Sequence, residues 1–420
     1  MRVILYAAVG VAMAWCSSPW ATAGPAPGDV FREYRWFNAD GDAGQALRVG
    51  GKWGQEHPDR GWAHDYVNAP VAIEHDVDLE HAVKAEVVIE KILCHDGTRG
   101  LAVQINDHDW LEAPEATAIP YPQWEYQHHI YPAVAVPLSH LGPGRTNSFR
   151  MRVAAEHSWK WPQNLINGVH LRVYYDPAKK SHPSGRLTNP AGGGSLGRTV
   201  ELTAEADSPN GPIRSVEYIG FYDDVNLEGD GIYRQWHYYY FHAALTGHIG
   251  TAVQTPYRVA WDTSWVPDQT EPMLIAARIT DAAGLTYMTE PVADLGLRRE
   301  DLGVELCRPY HVPQRWVTRR GVKQEHFDIR GDLSKARAFQ LVWASWSPGY
   351  MDGLFINDKR VFDNEGPCYQ YYAHRVTLTD TAVLRGGRNT LATGATASDA
   401  HGMEVNWPGI MVLVQYATDE

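Results

Sequence analysis

At 420 residues with a formal charge of −13, the chain is too long for one ordinary core. It is also too acidic for nucleic acid or anionic lipid, which both require a basic face. The 11% aromatic content is mainly Tyr and Trp, whose flat apolar faces with a polar handle suit sugar rings as well as β-sandwich cores.

The N-terminus carries Arg2, the apolar run VILYAAVGVAMAW and then small residues at Ala21 and Ala23. This is the charge, core and cleavage pattern of a secretory signal, so residues 1–23 are expected to be removed and the protein to be secreted or periplasmic. Trp15 before Cys16 argues against lipid attachment. No later stretch reaches the roughly 18–20 apolar residues of a membrane-spanning helix. In an oxidising compartment Cys307 and Cys368 either pair or lie buried as small hydrophobes, and sequence decides neither.

Residues 28–176 read as short alternating strands between Gly, Pro and Asn turns, as in Phe149, Met151, Val153 and Val169, Leu171, Val173. Residues 304–420 repeat their features in order. KAEVVIEKILCHDGTRGLAVQIND matches KARAFQLVWASWSPGYMDGLFIND, YQHH matches YYAH, LGPGRTNSF matches LRGGRNTL, and WPQNLINGVHLRVYY matches WPGIMVLVQY. His128 and His374 fall in matching places. Features shared by both copies point to scaffold, and features private to one copy point to function. The strand ending in Asn106 or Asn357 and the Gly-Arg-Asn turn resemble galactose-binding-like jelly rolls, the fold of many carbohydrate-binding modules.

Between the copies, residues 177–197 are rich in Pro, Gly and Ser with almost no apolar periodicity, the composition of a linker. Residues 198–298 contain GRTVELTAEADSPNGPIRSVEYIGFY, TPYRVAWDTSWVP and MLIAARITDAAGLTYMTEPV, which resemble the successive strands of a bacterial immunoglobulin-like domain. The alternation of Val200, Leu202, Ala204 and of Ile275, Ala277, Ile279 agrees with a small sandwich. The expected architecture is therefore all-β, with three sandwiches in the order jelly roll, immunoglobulin-like, jelly roll.

In the immunoglobulin-like pattern only a short turn separates VEYIGFY from PYRVAWDT, but here residues 223–255 intervene. Long structured loops on rigid sandwiches are where function tends to sit. Asp224, Asn226, Glu228 and Asp230, with glycines between them, resemble part of a calcium loop, although Gln235 stands where a bidentate Glu is required. Arg234, Trp236, His237 and Tyr239 follow as candidate ligand-binding residues, an aromatic platform with a cation for an acidic sugar. For a catalytic role, His237 and Tyr239 offer a base and Arg234 a neutralising charge. His237, His242 and His248 have no spacing typical of a transition-metal site.

Trp159, Trp161, Glu404 and Trp407 precede the last strand of each copy and form candidate binding rims, with Asn164 and Asn406 beside them. No nucleophile elbow, phosphate loop or zinc-protease helix occurs. The sequence thus points to an exported protein that binds a polysaccharide or glycan. A polysaccharide-degrading lyase or hydrolase and a structural, adhesive surface protein are the alternatives.

Overall fold

The computed structural model describes residues 24–37, 47–49, 70–73, 76–94, 99–154, 164–241, 243–396 and 401–418. The expected export signal, Trp159, Trp161 and His242 lie outside the described residues. Among those described, the chain is all-β, and its helical pieces are single 3-10 turns. None of its helices is long and apolar enough to cross a membrane.

In the first sandwich, Val30–Phe37, Asn164–Tyr175 and Ala82–Cys94 form one sheet, extended by His128–Ile130 and Ala133–Val136. Val71–Ile73, Asn147–Arg152, Ala102–Ile105 and Leu111–Glu112 form the facing sheet. Alternation sends Val169, Leu171 and Val173 into the core beside Phe149 and Met151. The opposite face of that strand carries His170, Arg172 and Tyr174, which are also buried. Both faces of this sheet are therefore covered.

The third sandwich repeats the plan. Leu302–Cys307, Met411–Ala417, Ala336–Trp346 and Tyr371–Leu378 face Lys323–Ile329, Gly387–Thr393, Leu354–Ile356 and Lys359–Phe362 across a core that includes Trp316, Phe339 and Trp343. An asparagine clasp marks the duplication most clearly. Asn106 Nδ2 donates to Asn147 Oδ1 at 2.6 Å and Asn357 Nδ2 to Asn389 Oδ1 at 2.8 Å. Each second asparagine also closes its own turn, Asn147 on Gly142 and Arg145, Asn389 on Arg385 and Gly387. Asn106 and Asn357 both take a left-handed backbone, with φ of 48° and 49°, which asparagine tolerates better than most residues. The two histidines match less well. His128 faces Cys94 at the end of its partner strand, whereas His374 faces Trp343, inside the strand Ala336–Trp346.

The middle sandwich packs Ser184–Asn189, Thr199–Asp207 and Val259–Asp262 against Ile213–Asp223, Met273–Asp281, Leu285–Met288 and Val292–Leu297. The linker expected at 177–197 is not one: Ser184–Asn189 pairs with Thr199–Asp207, Ser195–Leu196 pairs with Val292–Leu297, and Leu187 and Leu196 are buried. Its periodicity is weak because an edge strand buries only Leu187 of its six residues. The middle sheet runs on into the first sandwich, with Val30 opposite Tyr287 and Phe31 opposite Thr286. Cys307 is buried, Cys368 is exposed, and the two are not bonded.

Residues 223–255 are a lengthened hairpin. Arg234–Trp236 turns back along Phe221 to Asp223, Tyr239–Phe241 and Ala244–Thr246 make a small ribbon, and Gly250–Ala252 rejoins the middle sheet opposite Val216–Tyr218. One side buries Val225, Leu227 and Tyr233 against Val342, Met411 and Leu413 of the third sandwich. Trp236, Tyr238 and Leu245 pack on Phe31 and Tyr174 of the first. Burying such side chains contributes roughly 1.5–3 kcal/mol each, so this hairpin is a wedge that holds all three sandwiches together.

Candidate functional site

The first half of the wedge is organised by Asn226, which is 2% exposed. Its Nδ2 reaches Asp230 Oδ1 at 2.8 Å, the Ile232 carbonyl at 3.0 Å and Glu228 Oε2 at 3.3 Å, and its Oδ1 accepts from Gly231 N at 2.8 Å. The oxygens of the expected calcium loop thus converge on an amide nitrogen. Asp224 takes no part and accepts from Val225 N at 2.7 Å. Among the described residues no group of three or more His, Cys, Asp or Glu is placed to hold a metal. A calcium ion at this loop would have to displace the Asn226 amide.

His237 lies beneath the loop, with Nδ1 3.0 Å from Glu228 Oε1 and Nε2 2.9 Å from the Tyr222 carbonyl. Burial alone would lower its pKa, but the Glu228 carboxylate outweighs burial and raises it to about 9. It is therefore an imidazolium at neutral pH. Asp230 behaves oppositely: burial and then the Glu228 charge push it up to about 6. Its Oδ1 accepts from Asn226, Ile232 N and Gln235. Its Oδ2 has no hydrogen-bond partner among the described residues and keeps contact with solvent.

Two glycines press this loop onto the flanking sandwiches. A Cβ on Gly229 would lie 2.8 Å from the His129 carbonyl, and one on Gly231 would lie 2.4 Å from Trp407 Nε1. Both have positive φ, so glycine serves the turn and the close approach together. His129 belongs to the first sandwich and Trp407 to the third, which places Asp230 at a three-way seam.

Across that seam the outer sandwiches bond directly. Gln127 Nε2 donates to Glu404 Oε2 at 2.5 Å, Arg319 donates to Glu404 Oε1 at 3.3 Å, and Trp407 N donates to the Gln127 carbonyl at 2.8 Å. Asn406 Nδ2 donates to Tyr371 Oη at 2.7 Å, which leaves that phenol to donate to His129 Nδ1 at 2.7 Å. The Tyr126 ring meets Trp407 edge-on at 5.3 Å. Tyr131 and Tyr239 lie 5.7 Å apart, and burial pushes the Tyr239 phenol up to about 12. Among the described residues, Gln127 Oε1, Asn406 Oδ1, Trp407 Nε1 and Tyr131 Oη are buried with no hydrogen-bond partner. Unpaired buried polar atoms are rare and call for a reason.

A second polar cluster fixes the other side of the wedge. Arg172 donates to Glu33 at 2.9 Å, to Glu86 at 2.5 Å and to Tyr240 Oη at 3.2 Å, and Tyr240 Oη donates to Glu33 at 2.6 Å. Burial would raise the pKa of Glu33, but Arg172 and Arg278 hold it well below the usual carboxylate range.

The seam therefore joins His237, Tyr239, Glu228, Asp230, Glu404 and Trp407 of the sequence candidates. Arg234 and Trp236 lie elsewhere. Arg234 is held by Asp223 at 3.1 Å, the Pro272 carbonyl at 2.6 Å and Glu271 at 3.4 Å, and Trp236 packs on Phe221. Strand alternation separates Trp236 from His237. Glu404 is not on an open rim, because Glu404–Val405 pairs with Trp346 and Ser345. Gln127, Tyr131, Tyr371 and Arg319 were not singled out by the sequence. Only Gln127 left a trace, as a glutamine in YQHH that YYAH lacks.

No family model matches the chain, and no curated protein matches it. Among solved structures it is similar to fibronectin(III)-like modules of CbhA from Clostridium thermocellum, at 12% identity over 63% of this chain and 94% of that one, with a TM-score of 0.19. A DUF4785 family protein from Legionella pneumophila is similar at 9% identity over 94% and 85%, with a TM-score of 0.24. A β-porphyranase of glycoside hydrolase family 86 from Bacteroides plebeius is similar at 10% identity over 59% of this chain and 39% of that one, with a TM-score of 0.21. Likenesses at this level do not bear on function.

Proposed function

We propose that this is an exported glycan-binding protein whose site is the seam between its two outer sandwiches, roofed by residues 226–239. The outer units are read as galactose-binding-like jelly rolls and the middle one as immunoglobulin-like. Export rests on the pattern of residues 1–23. The observation that carries the binding reading is the set of unpaired buried atoms Gln127 Oε1, Asn406 Oδ1 and Trp407 Nε1, contributed by both outer sandwiches beside the rings of Tyr126, Trp407 and Tyr371. Unpaired polar groups beside aromatic rings suit a sugar, which offers hydroxyls at its edge and apolar C–H groups on its faces.

The test is calorimetric titration of the chain with a panel of neutral, acidic and amino-sugar oligosaccharides. Binding that Trp407→Ala weakens at least about tenfold supports the reading. No binding to any member favours the adhesive or structural alternative. For the enzymatic alternative, Glu228 and Asp230 are two carboxylates sharing the Asn226 amide, and burial with the Glu228 charge raises the pKa of Asp230 to about 6. New reducing ends or unsaturated products released from a bound polymer would establish it, and the binding reading predicts neither.

A further inference from the structure

We propose that the seam selects an amino sugar and that Asp230 Oδ2 receives its ammonium group. The inference rests on the glycan reading and adds the chemical class of the ligand.

The first argument is charge. Glu228 has the His237 imidazolium at 3.0 Å and Glu404 has Arg319 at 3.3 Å. Asp224 lies in the fields of His237 and Arg375. Asp230 has no ion-pair partner among the described residues, and its nearest charge of influence is the repelling Glu228. A carboxylate held partly buried without a cation is costly, and a cationic ligand relieves that cost.

The second argument is the sense of the unpaired hydrogen-bonding groups, which is independent of charge. Gln127 and Asn406 are each 2% exposed, and their amide nitrogens face acceptor-only groups, Gln127 Nε2 the Glu404 carboxylate at 2.5 Å and Asn406 Nδ2 the Ala344 carbonyl at 3.5 Å. What remains on both is an acceptor oxygen. With Asp230 Oδ2 the seam carries three acceptors lacking donors, and an ammonium is a group that only donates. Trp407 Nε1 and the Tyr131 hydroxyl are the unpaired groups of the seam that can donate, and they suit ring or hydroxyl oxygens. Contacts tie these groups together: Gly231, next to Asp230, packs on Trp407 Nε1, Trp407 bonds Gln127, and Asn406 bonds Tyr371, which bonds the His129 that supports Gly229.

Geometry also explains why the acidic sugar suggested by Arg234 is disfavoured. That guanidinium is engaged by Asp223, Glu271 and the Pro272 carbonyl, away from the seam. An anionic ring at the seam would face Asp230, Glu228 and Glu404.

The experiment titrates the full chain at about pH 6.5, where an amino sugar is largely protonated and Asp230 largely ionised, with a glucosamine oligosaccharide and with the same oligosaccharide N-acetylated. The wild type is expected to bind the free amine at least about tenfold more tightly, the size of one charge-assisted hydrogen bond. Asp230→Asn, which keeps Oδ1 for Asn226, Ile232 and Gln235, is expected to erase the preference. Its circular dichroism and melting curve verify that it is folded. Equal or tighter binding of the N-acetylated form, or a preference that survives in folded Asp230→Asn, overturns the inference and leaves glycan binding standing. No binding of either compound, or of any glycan in the panel, overturns the glycan reading itself.

Discussion

The asparagine clasps and the seam are both built from buried amides, yet they differ in completeness. In the clasps every amide group of Asn147 and Asn389 is bonded within its own sandwich, and the arrangement occurs twice. In the seam the amides of Gln127 and Asn406 each use the nitrogen and leave the oxygen unpaired, and neither sandwich repeats the other's contribution. A duplicated and saturated network is what a fold needs to hold a turn. An unsaturated network to which two different sandwiches contribute unlike groups is what a ligand site looks like before its ligand arrives.

That contrast can be broken in several ways. The largest effect is expected from the scaffold: Asn389→Ala removes a fully buried amide that holds Asn357 Nδ2, the Arg385 amide and the Arg385 and Gly387 carbonyls, so it should lose about 3 kcal/mol in chemical denaturation. Arg172→Met leaves Glu86 buried without its cation, while Glu33 keeps Arg278 and Arg35, and should cost about 3 kcal/mol, seen as earlier exposure of the wedge to protease.

Seam substitutions should reverse this pattern. Glu404→Gln is expected to weaken glycan binding about tenfold in calorimetry while moving the melting temperature by only a few degrees. Asp230→Asn should raise stability. The folded pKa of Asp230 lies near 6, above the ordinary carboxylate value, so the wild type loses stability as pH rises through about 4 to 6. The substitution should therefore gain about 1–2 kcal/mol at neutral pH and nothing near pH 3, measured as melting curves across pH. His237 adds a loss of the same sign at higher pH. Its pKa is raised to about 9, so its contribution is complete below about 6.5 and disappears as pH passes 9. The smallest effect is expected from EDTA, which should leave the melting temperature unchanged because Asn226 Nδ2 fills the centre of the acidic loop.

The all-β architecture was legible because strand alternation leaves a local signature, as in Phe149, Met151 and Val153. The duplicated asparagines were legible for the same reason, being fixed points in a repeated turn. Residues 184–189 were misread because an edge strand with one buried side chain has the composition of a linker. The site was only half legible. Glu228, Asp230, His237, Glu404 and Trp407 stand out as residue types, but their meeting depends on how three sandwiches dock on one wedge, and docking leaves no periodicity. Arg234 and Trp236 stood out equally and point elsewhere, since neighbours on a strand face opposite ways. Tyr131 and Tyr371 gave no local sign at all.

The central claim is that ligand binds where both outer sandwiches and the wedge converge. Hydrogen–deuterium exchange of the full chain, with and without the tightest oligosaccharide of the panel, tests it directly. The account predicts slower exchange in 126–131, 226–240 and 403–409 together. Protection confined to one sandwich would contradict it.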